Sequence, residues 1–192
     1  MVDVVFDLET GPLCSKEEFD GLKDSDKKDC CLNPWKARVT SVCYTVDGVS
    51  FPVFAGFDER ELLENFWFSV LSKGPSRFIG FNNSVFDNHF LMVRTVVNGL
   101  DYGFSLVDFG CSVDLRSFLL SGSNKIYGSE KYRKGKLQDF CKRLGVDEGD
   151  WSNDGSECVQ HFFNGDWSKI ISHNKEDVLR TWLLYDKVKK FL

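Results

Sequence analysis

Residues 2–10 read V-D-V-V-F-D-L-E-T, and the rest of the chain can be interpreted outward from them. The apolar, β-branched run from Val2 to Leu8 predicts a buried strand. Side chains two positions apart on a strand point to the same face, so Asp7 and Glu9 should converge on one point. Two carboxylates this close at the end of a buried strand are costly unless one is protonated or a cation lies between them. Hard oxygen ligands favour Mg²⁺ or Mn²⁺, although a lone D-x-E pair is more often just a strand followed by an acidic loop.

Beyond this strand, two β-rich segments at 38–46 and 49–55 flank Asp47-Gly48, which is a strong hairpin signal. Asp58 precedes a segment with helical spacing and is expected to cap that helix. Further segments predict strands at 77–81 and 111–115, and helices at 86–97, 137–144, 158–163 and 167–192. Strand hairpins followed by strand–helix alternation predict an α/β fold. Its mixed central sheet, antiparallel over the first three strands, is flanked by helices.

Residues 11–35 interrupt this pattern with mixed charge and with the breakers Pro12, Gly21 and Pro34. We interpret them as a long surface insertion with one short helical turn. Loops of this length are often functional or mobile.

The whole chain of 192 residues has a globular composition and predicts one domain over residues 1–192. A formal charge of -5 argues against nucleic-acid binding by global electrostatics, while leaving room for a local basic patch. The seven scattered cysteines indicate reduced thiols. With neither a signal peptide nor a membrane span indicated, we expect a cytoplasmic, intracellular protein with no membrane association.

Two further motifs support the interpretation of Asp7 and Glu9 as metal ligands. F-N-N-S-V-F-D occupies residues 81–87, and H-N-K-E-D-V occupies residues 173–178. Together with F-D-L-E-T these motifs resemble those of the DEDD superfamily of 3′–5′ exonucleases, particularly the exonuclease domains of family B DNA polymerases and their free-standing relatives. The resemblance covers most of the chain, with weak support between Leu13 and Trp35, and implies an RNase H-like fold.

The resemblance also implies roles for individual residues. The metal ligands would be Asp7, Glu9, Asp87 and Asp177. Two ions, Mg²⁺ or Mn²⁺, roughly 3.5 to 4 Å apart could activate a water and stabilise the departing 3′ oxygen. Substrate contacts are expected from the other motif residues Thr10, Asn82 and Phe86.

The third motif departs from the family in one respect. By resemblance, one branch of the family has Tyr separated from the last Asp by three residues (Y-x3-D), and the other has His separated from it by four (H-x4-D). Here His173 stands in the tyrosine register, one helical turn before Asp177, so both side chains share a helix face. An imidazole is a better base than a phenol near neutral pH, so we predict that His173 positions or deprotonates the attacking water. The alternative is a purely structural role, in which His173 only makes hydrogen bonds at the start of the helix.

A basic segment between Lys125 and Arg143 carries a local charge of +5 and includes two tyrosines that could stack on bases. Lys134 and Lys136 are its candidate phosphate contacts, although charged runs are usually only solvated surface. A zinc site at Cys158 and His161 with Cys141 is not favoured, because only one half has ligand-like spacing.

The predicted activity is metal-dependent removal of nucleoside 5′-monophosphates from single-stranded 3′ ends. DNA is the first substrate by resemblance, and RNA is an alternative. Two rivals remain: a weakly active or inactive nucleic-acid-binding module that keeps the fold, and an RNase H-type endonuclease. The sequence identifies no polymerase or replication partner.

Overall fold

The computed structural model describes residues 2–101, 112–121, 135–146 and 157–192. Its strands are β1 (Val2–Pro12), β2 (Ala37–Thr45), β3 (Val53–Ala55), β4 (Pro75–Gly80) and β5 (Ser112–Asp114). Its α-helices are α1 (Lys16–Asp20), α2 (Asp24–Leu32), α3 (Glu59–Leu71), α4 (Asp87–Val97), α5 (Leu115–Leu120), α6 (Leu137–Leu144), α7 (Cys158–Asn164) and α8 (Trp167–Val188). A 3₁₀ helix, Lys189–Phe191, follows α8. None of the described helices is long and apolar enough to cross a membrane.

The strands form one sheet in the order β3-β2-β1-β4-β5. β1 pairs antiparallel with β2 and parallel with β4, while β3 is antiparallel to β2 and β5 is parallel to β4. The predicted mixed sheet, antiparallel over its first three strands and flanked by helices, is therefore confirmed.

Alternation along β1 divides the core into two layers. Val4 and Phe6 pack with α3 and its buried Trp67 on one face, whereas Val5 packs with α8 residues such as Val178 on the other. Burial of each large apolar side chain contributes about 1.5–3 kcal/mol. Asp7 and Glu9 lie two and four positions after Val5 on the same strand, so they point to the face that α8 covers.

The segment between β1 and β2 differs from the prediction. It holds two helices, α1 and α2, in place of one short turn. A capping box starts α1: Ser15 Oγ accepts from Glu18 N at 3.2 Å, and Glu18 Oε2 accepts from Ser15 N at 2.9 Å. Buried Phe19 then packs against Phe163 of α7, so α1 is fastened to the domain.

The hairpin lies at Asp47-Gly48 as predicted, but the strand expected from residue 49 begins only at Val53. Asp47 Oδ1 accepts from the amides of Val49 and Ser50, both at 2.9 Å, so these amides are taken by the turn. Gly48 has φ +71°, and a Cβ there would lie 2.0 Å from the Trp182 indole. Only glycine fits this turn.

A buried ion pair joins α3 to α4. Arg94 donates to Glu59 through Nε at 2.9 Å and through Nη2 at 2.5 Å, and its Nη1 reaches Pro34 O at 3.0 Å. Glu59 Oε1 also accepts from Val39 N at 2.7 Å. These contacts fix the end of the inserted segment against the sheet.

Candidate active site

β1 and α8 bring three carboxylates together. The ligand oxygens of Asp7, Glu9 and Asp177 lie within 4.8 Å of one another, and such a group could hold a metal ion. Strand alternation places the first two acids on one face, and α8 packs across that face. The two motifs therefore meet although they are separated by most of the chain.

Asp87 is the first residue of α4 and lines the same cleft as these three acids. The cleft has a volume of about 260 Å³. Asp87 is 5% exposed, and this burial raises the pKa of its carboxyl to about 7. Backbone hydrogen bonds from its own N–H and from Leu8 oppose the shift, while the charges of Asp114 and Asp177 add to it.

Burial dominates the electrostatics of the other β1 acids as well. It raises the pKa of Asp7 well above its usual range, and the charges of Asp87, Asp177 and Glu9 raise it further. The pKa of Glu9 is raised to about 8 by burial and then by the charge of Asp177. Such carboxylates are unstable as a set of free anions, and a divalent cation would compensate them. The donor set is all oxygen, which suits Mg²⁺ or Mn²⁺.

His173 is placed between two of these acids. Its Nε2 lies 3.5 Å from Glu9 Oε1 and 3.7 Å from Asp177 Oδ2, and the side chain is buried against the cleft. The i, i+4 relation on α8 brings His173 and Asp177 to the same edge.

Two residues that the sequence did not identify orient the acids. Asn174 Nδ2 donates to Asp7 Oδ2 at 3.0 Å, and Ser41 Oγ donates to Asn174 Oδ1 at 2.8 Å. Arg180 Nη1 donates to Asp177 Oδ1 at 2.9 Å. Two sequence features could have identified them: Asn174 follows His173 in the third motif, and Arg180 lies about one helical turn after Asp177.

Asp114, also unidentified from sequence, organises the turn after β4. Its carboxylate accepts from Asn82 N at 2.9 Å, from Ser84 Oγ at 2.5 Å and from Ser117 N at 3.1 Å. Asn82 adopts φ 67°, a left-handed conformation that asparagine tolerates better than most residues. Arg116 Nη1 donates to Asn82 Oδ1 at 3.3 Å, so the Asn82 side chain is held at the cleft that it lines.

A second, mostly apolar cavity of about 470 Å³ adjoins the acidic cleft. Glu9 and Phe86 line both. The inserted helices contribute Phe19, Lys27, Lys28, Cys31 and Leu32 to its wall. Thr10 also lines it, but its hydroxyl donates to Cys31 O at 2.7 Å and so anchors α2.

Residues 125–134 of the basic segment, which include Lys134, lie outside the described residues. Lys136 is described and lines the acidic cleft. Cys141 lies in the core beneath α8, with its Sγ 3.8 Å from Arg180 O, and it belongs to none of the ligand groups found among the described residues.

The fold matches a solved polymerase structure. The family B DNA polymerase from the hyperthermophilic archaeon Pyrobaculum calidifontis superposes with a TM-score of 0.68 over 98% of this chain, at 17% identity. The chain spans about a quarter of that polymerase (24%), so the likeness is one of fold over a part of the larger protein. No family model matches the sequence.

A relative at the sequence level is the uncharacterized protein MJ0365 of Methanocaldococcus jannaschii. The two are 35% identical over 162 residues, which cover 80% of this chain and 87% of that protein. This chain belongs to the same family as MJ0365.

Proposed function

We propose that this chain is a metal-dependent 3′–5′ exonuclease that shortens single strands, with DNA as its first substrate. The observation that carries the proposal is the convergence of Asp7, Glu9 and Asp177 in one cleft with buried Asp87. Four acids from three separate motifs would be a costly arrangement without a cationic ligand. The polymerase-like fold supports the choice of nucleic acid as substrate.

Asp7, Glu9 and Asp177 would hold one Mg²⁺ or Mn²⁺, and Asp87 with Asp7 a second. The ions would supply Lewis-acid activation of water and stabilisation of charge on the leaving oxygen. Asn174 and Arg180 keep Asp7 and Asp177 in fixed orientations, which lowers the cost of assembling such a site.

His173 is the proton-handling residue of the proposed reaction. The water oxygen attacks phosphorus, the bond from phosphorus to the 3′ oxygen breaks, and a nucleoside 5′-monophosphate leaves. Nε2 of His173, beside Glu9 and Asp177, is in position to orient that water and accept its proton. The new 3′ hydroxyl end remains for the next cycle.

The apolar cavity is the proposed seat of the terminal nucleotide. Its size falls within the range of small-molecule sites, and an apolar wall with Phe86 at its border suits a base that has left its stack. Lys27 and Lys28 provide cations for the phosphates of the nucleic-acid substrate.

The decisive experiment is cleavage of 3′- and 5′-labelled DNA and RNA oligonucleotides in Mg²⁺ or Mn²⁺. We expect stepwise shortening from the 3′ end, none with chelator, and none with Asp7→Ala. A circular single strand separates the rival endonuclease, since an exonuclease leaves it intact. If the oligonucleotides bind but no metal-dependent shortening occurs, the chain is a nucleic-acid-binding module and not an exonuclease.

A further inference from the structure

A second donor set adjoins the acids and has a different chemistry. Ligand atoms of Glu9, Cys158 and His173 lie within 4.8 Å of one another. They come from β1, α7 and α8, and both Cys158 and His173 are buried. The set therefore offers one carboxylate oxygen, one sulfur and one imidazole nitrogen at a single point.

Such a mixture suits thiophilic ions. Thiolate and imidazole favour Zn²⁺, whereas Mg²⁺ is held by oxygen. Two ligands about 2.0–2.1 Å from one tetrahedral zinc ion stand about 3.3 Å apart. His173 Nε2 and Glu9 Oε1 are 3.5 Å apart, so they need little movement to reach that separation.

The surroundings of Cys158 also suit a metal ligand. Its thiol is hydrogen-bonded to Glu9, the acid that belongs to the same donor set. A bound zinc ion would replace the thiol proton, which passes to solvent. A polar cavity of about 340 Å³ is lined by Cys158, His161 and His173, and provides an approach separate from the acidic cleft.

We propose that Glu9, Cys158 and His173 form a binding site for thiophilic divalent cations, represented by Zn²⁺. Glu9 belongs to both this site and the Mg²⁺ or Mn²⁺ site, so the two occupancies compete. Zinc would also take the Nε2 lone pair of His173. The binding itself is independent of the proposed nuclease activity, whereas the resulting inhibition rests on that proposed function.

The test begins without nucleic acid. Zn²⁺ affinity of the full chain is measured by competition with a chromophoric chelator for wild type, Cys158→Ser and the control His89→Ala, an exposed histidine. We expect Cys158→Ser to weaken Zn²⁺ binding at least about tenfold, the loss already caused by lesser changes around metal ligands, and His89→Ala to match wild type. Equal Zn²⁺ affinity in folded Cys158→Ser and wild type would overturn the proposal.

A second measurement does not depend on the folding of Cys158→Ser. In a variant with Cys14, Cys30, Cys31 and Cys111 replaced by Ser, Cd²⁺ should still produce a thiolate charge-transfer absorption. The lack of that absorption would equally overturn the site. If cleavage is present, Zn²⁺ should inhibit wild type at concentrations at least about tenfold lower than Cys158→Ser, each relative to its own Mg²⁺ rate. If the protein binds Zn²⁺ through sulfur but cleaves no nucleic acid, the nuclease proposal is refuted and the zinc-site proposal stands.

Discussion

Nε2 of His173 lies 3.5 Å from Oε1 of Glu9, although 163 positions separate the two residues in the chain. α8 also places Asp177 Oδ2 at 3.7 Å from the same nitrogen, so in the proposed reaction His173 would face a metal-bound water. We expect His173→Ala to lower the cleavage rate by about 10²- to 10⁴-fold, the usual contribution of a general base.

A tyrosine in this register, as the resemblance implies, should keep more of the rate than alanine, so His173→Tyr should fall between wild type and His173→Ala. His89→Ala, an exposed histidine on α4, serves as the matched control and should cleave like wild type. Wild-type rates for His173→Ala at several pH values would rule out the assigned role.

The raised pKa values of the acids predict how stability varies with pH. Burial raises the pKa of Glu9 to about 8 and that of Asp87 to about 7. Between the ordinary and the raised values the folded protein binds more protons than the unfolded chain, so the free energy of unfolding falls as pH rises. In chelator, the melting temperature should therefore drop from about pH 5 to about pH 8.

Mg²⁺ should raise the melting temperature more at the upper end of this window than at the lower end, because the carboxylates are then ionised and available as ligands. Glu9→Gln should flatten the pH dependence in chelator. A melting temperature that is constant or rises with pH in the metal-free protein would contradict the raised pKa values.

Asn174 should tune metal affinity without being a ligand. Asn174→Ala removes the hydrogen bond to Asp7 and leaves Ser41 Oγ without that acceptor. We expect Mn²⁺ affinity, measured by titration calorimetry, to fall by about 10- to 100-fold. Asn65→Ala, an exposed asparagine on α3, should bind Mn²⁺ like wild type, and equal affinity in both variants would show that Asn174 has no part in the site.

Lys27 and Lys28 should contribute to substrate affinity through charge. Replacing both with Ala should weaken single-strand binding and reduce the slope of log affinity against log salt by up to about 1.4, or about 0.7 for each phosphate contact. The control pair, Lys187→Ala with Lys190→Ala, removes two exposed cations that line neither cavity. If the salt slope of the Lys27 and Lys28 variant were unchanged, the nucleic acid would have to bind away from these two lysines.

The ion pair of Arg94 with Glu59 should be costly to break from one side. Arg94→Met leaves the Glu59 carboxylate buried without its cation, so we expect a loss of about 3–5 kcal/mol in the free energy of unfolding, measured by urea denaturation. Glu59→Gln combined with Arg94→Met should recover part of this loss. A loss below about 1 kcal/mol, typical of exposed pairs, would mean that the site is hydrated.

Local rules predicted much of this fold. The helix expected after Asp58 begins at Glu59, and Asp58 Oδ1 accepts from Glu61 N at 3.0 Å, as a capping residue should. Only one short helical turn was predicted for the inserted segment, although Ser15 and Glu18 stand at capping-box spacing. Charged residues and breakers masked the signal, and the burial of Phe19 that stabilises α1 depends on α7, more than a hundred residues later.

The sequence by itself determined that Asp7 and Glu9 share one face, because strand geometry alternates side chains with period two. It also determined that His173 and Asp177 share one edge of a helix, because four residues make about one turn. Local patterns could not bring these two pairs together, and their meeting was expected only through the family resemblance. The tertiary structure alone decided that Asn174 reaches Asp7 while Cys158 reaches Glu9. Those contacts depend on how α7 and α8 pack against the sheet, and packing is set by side chains distant in sequence.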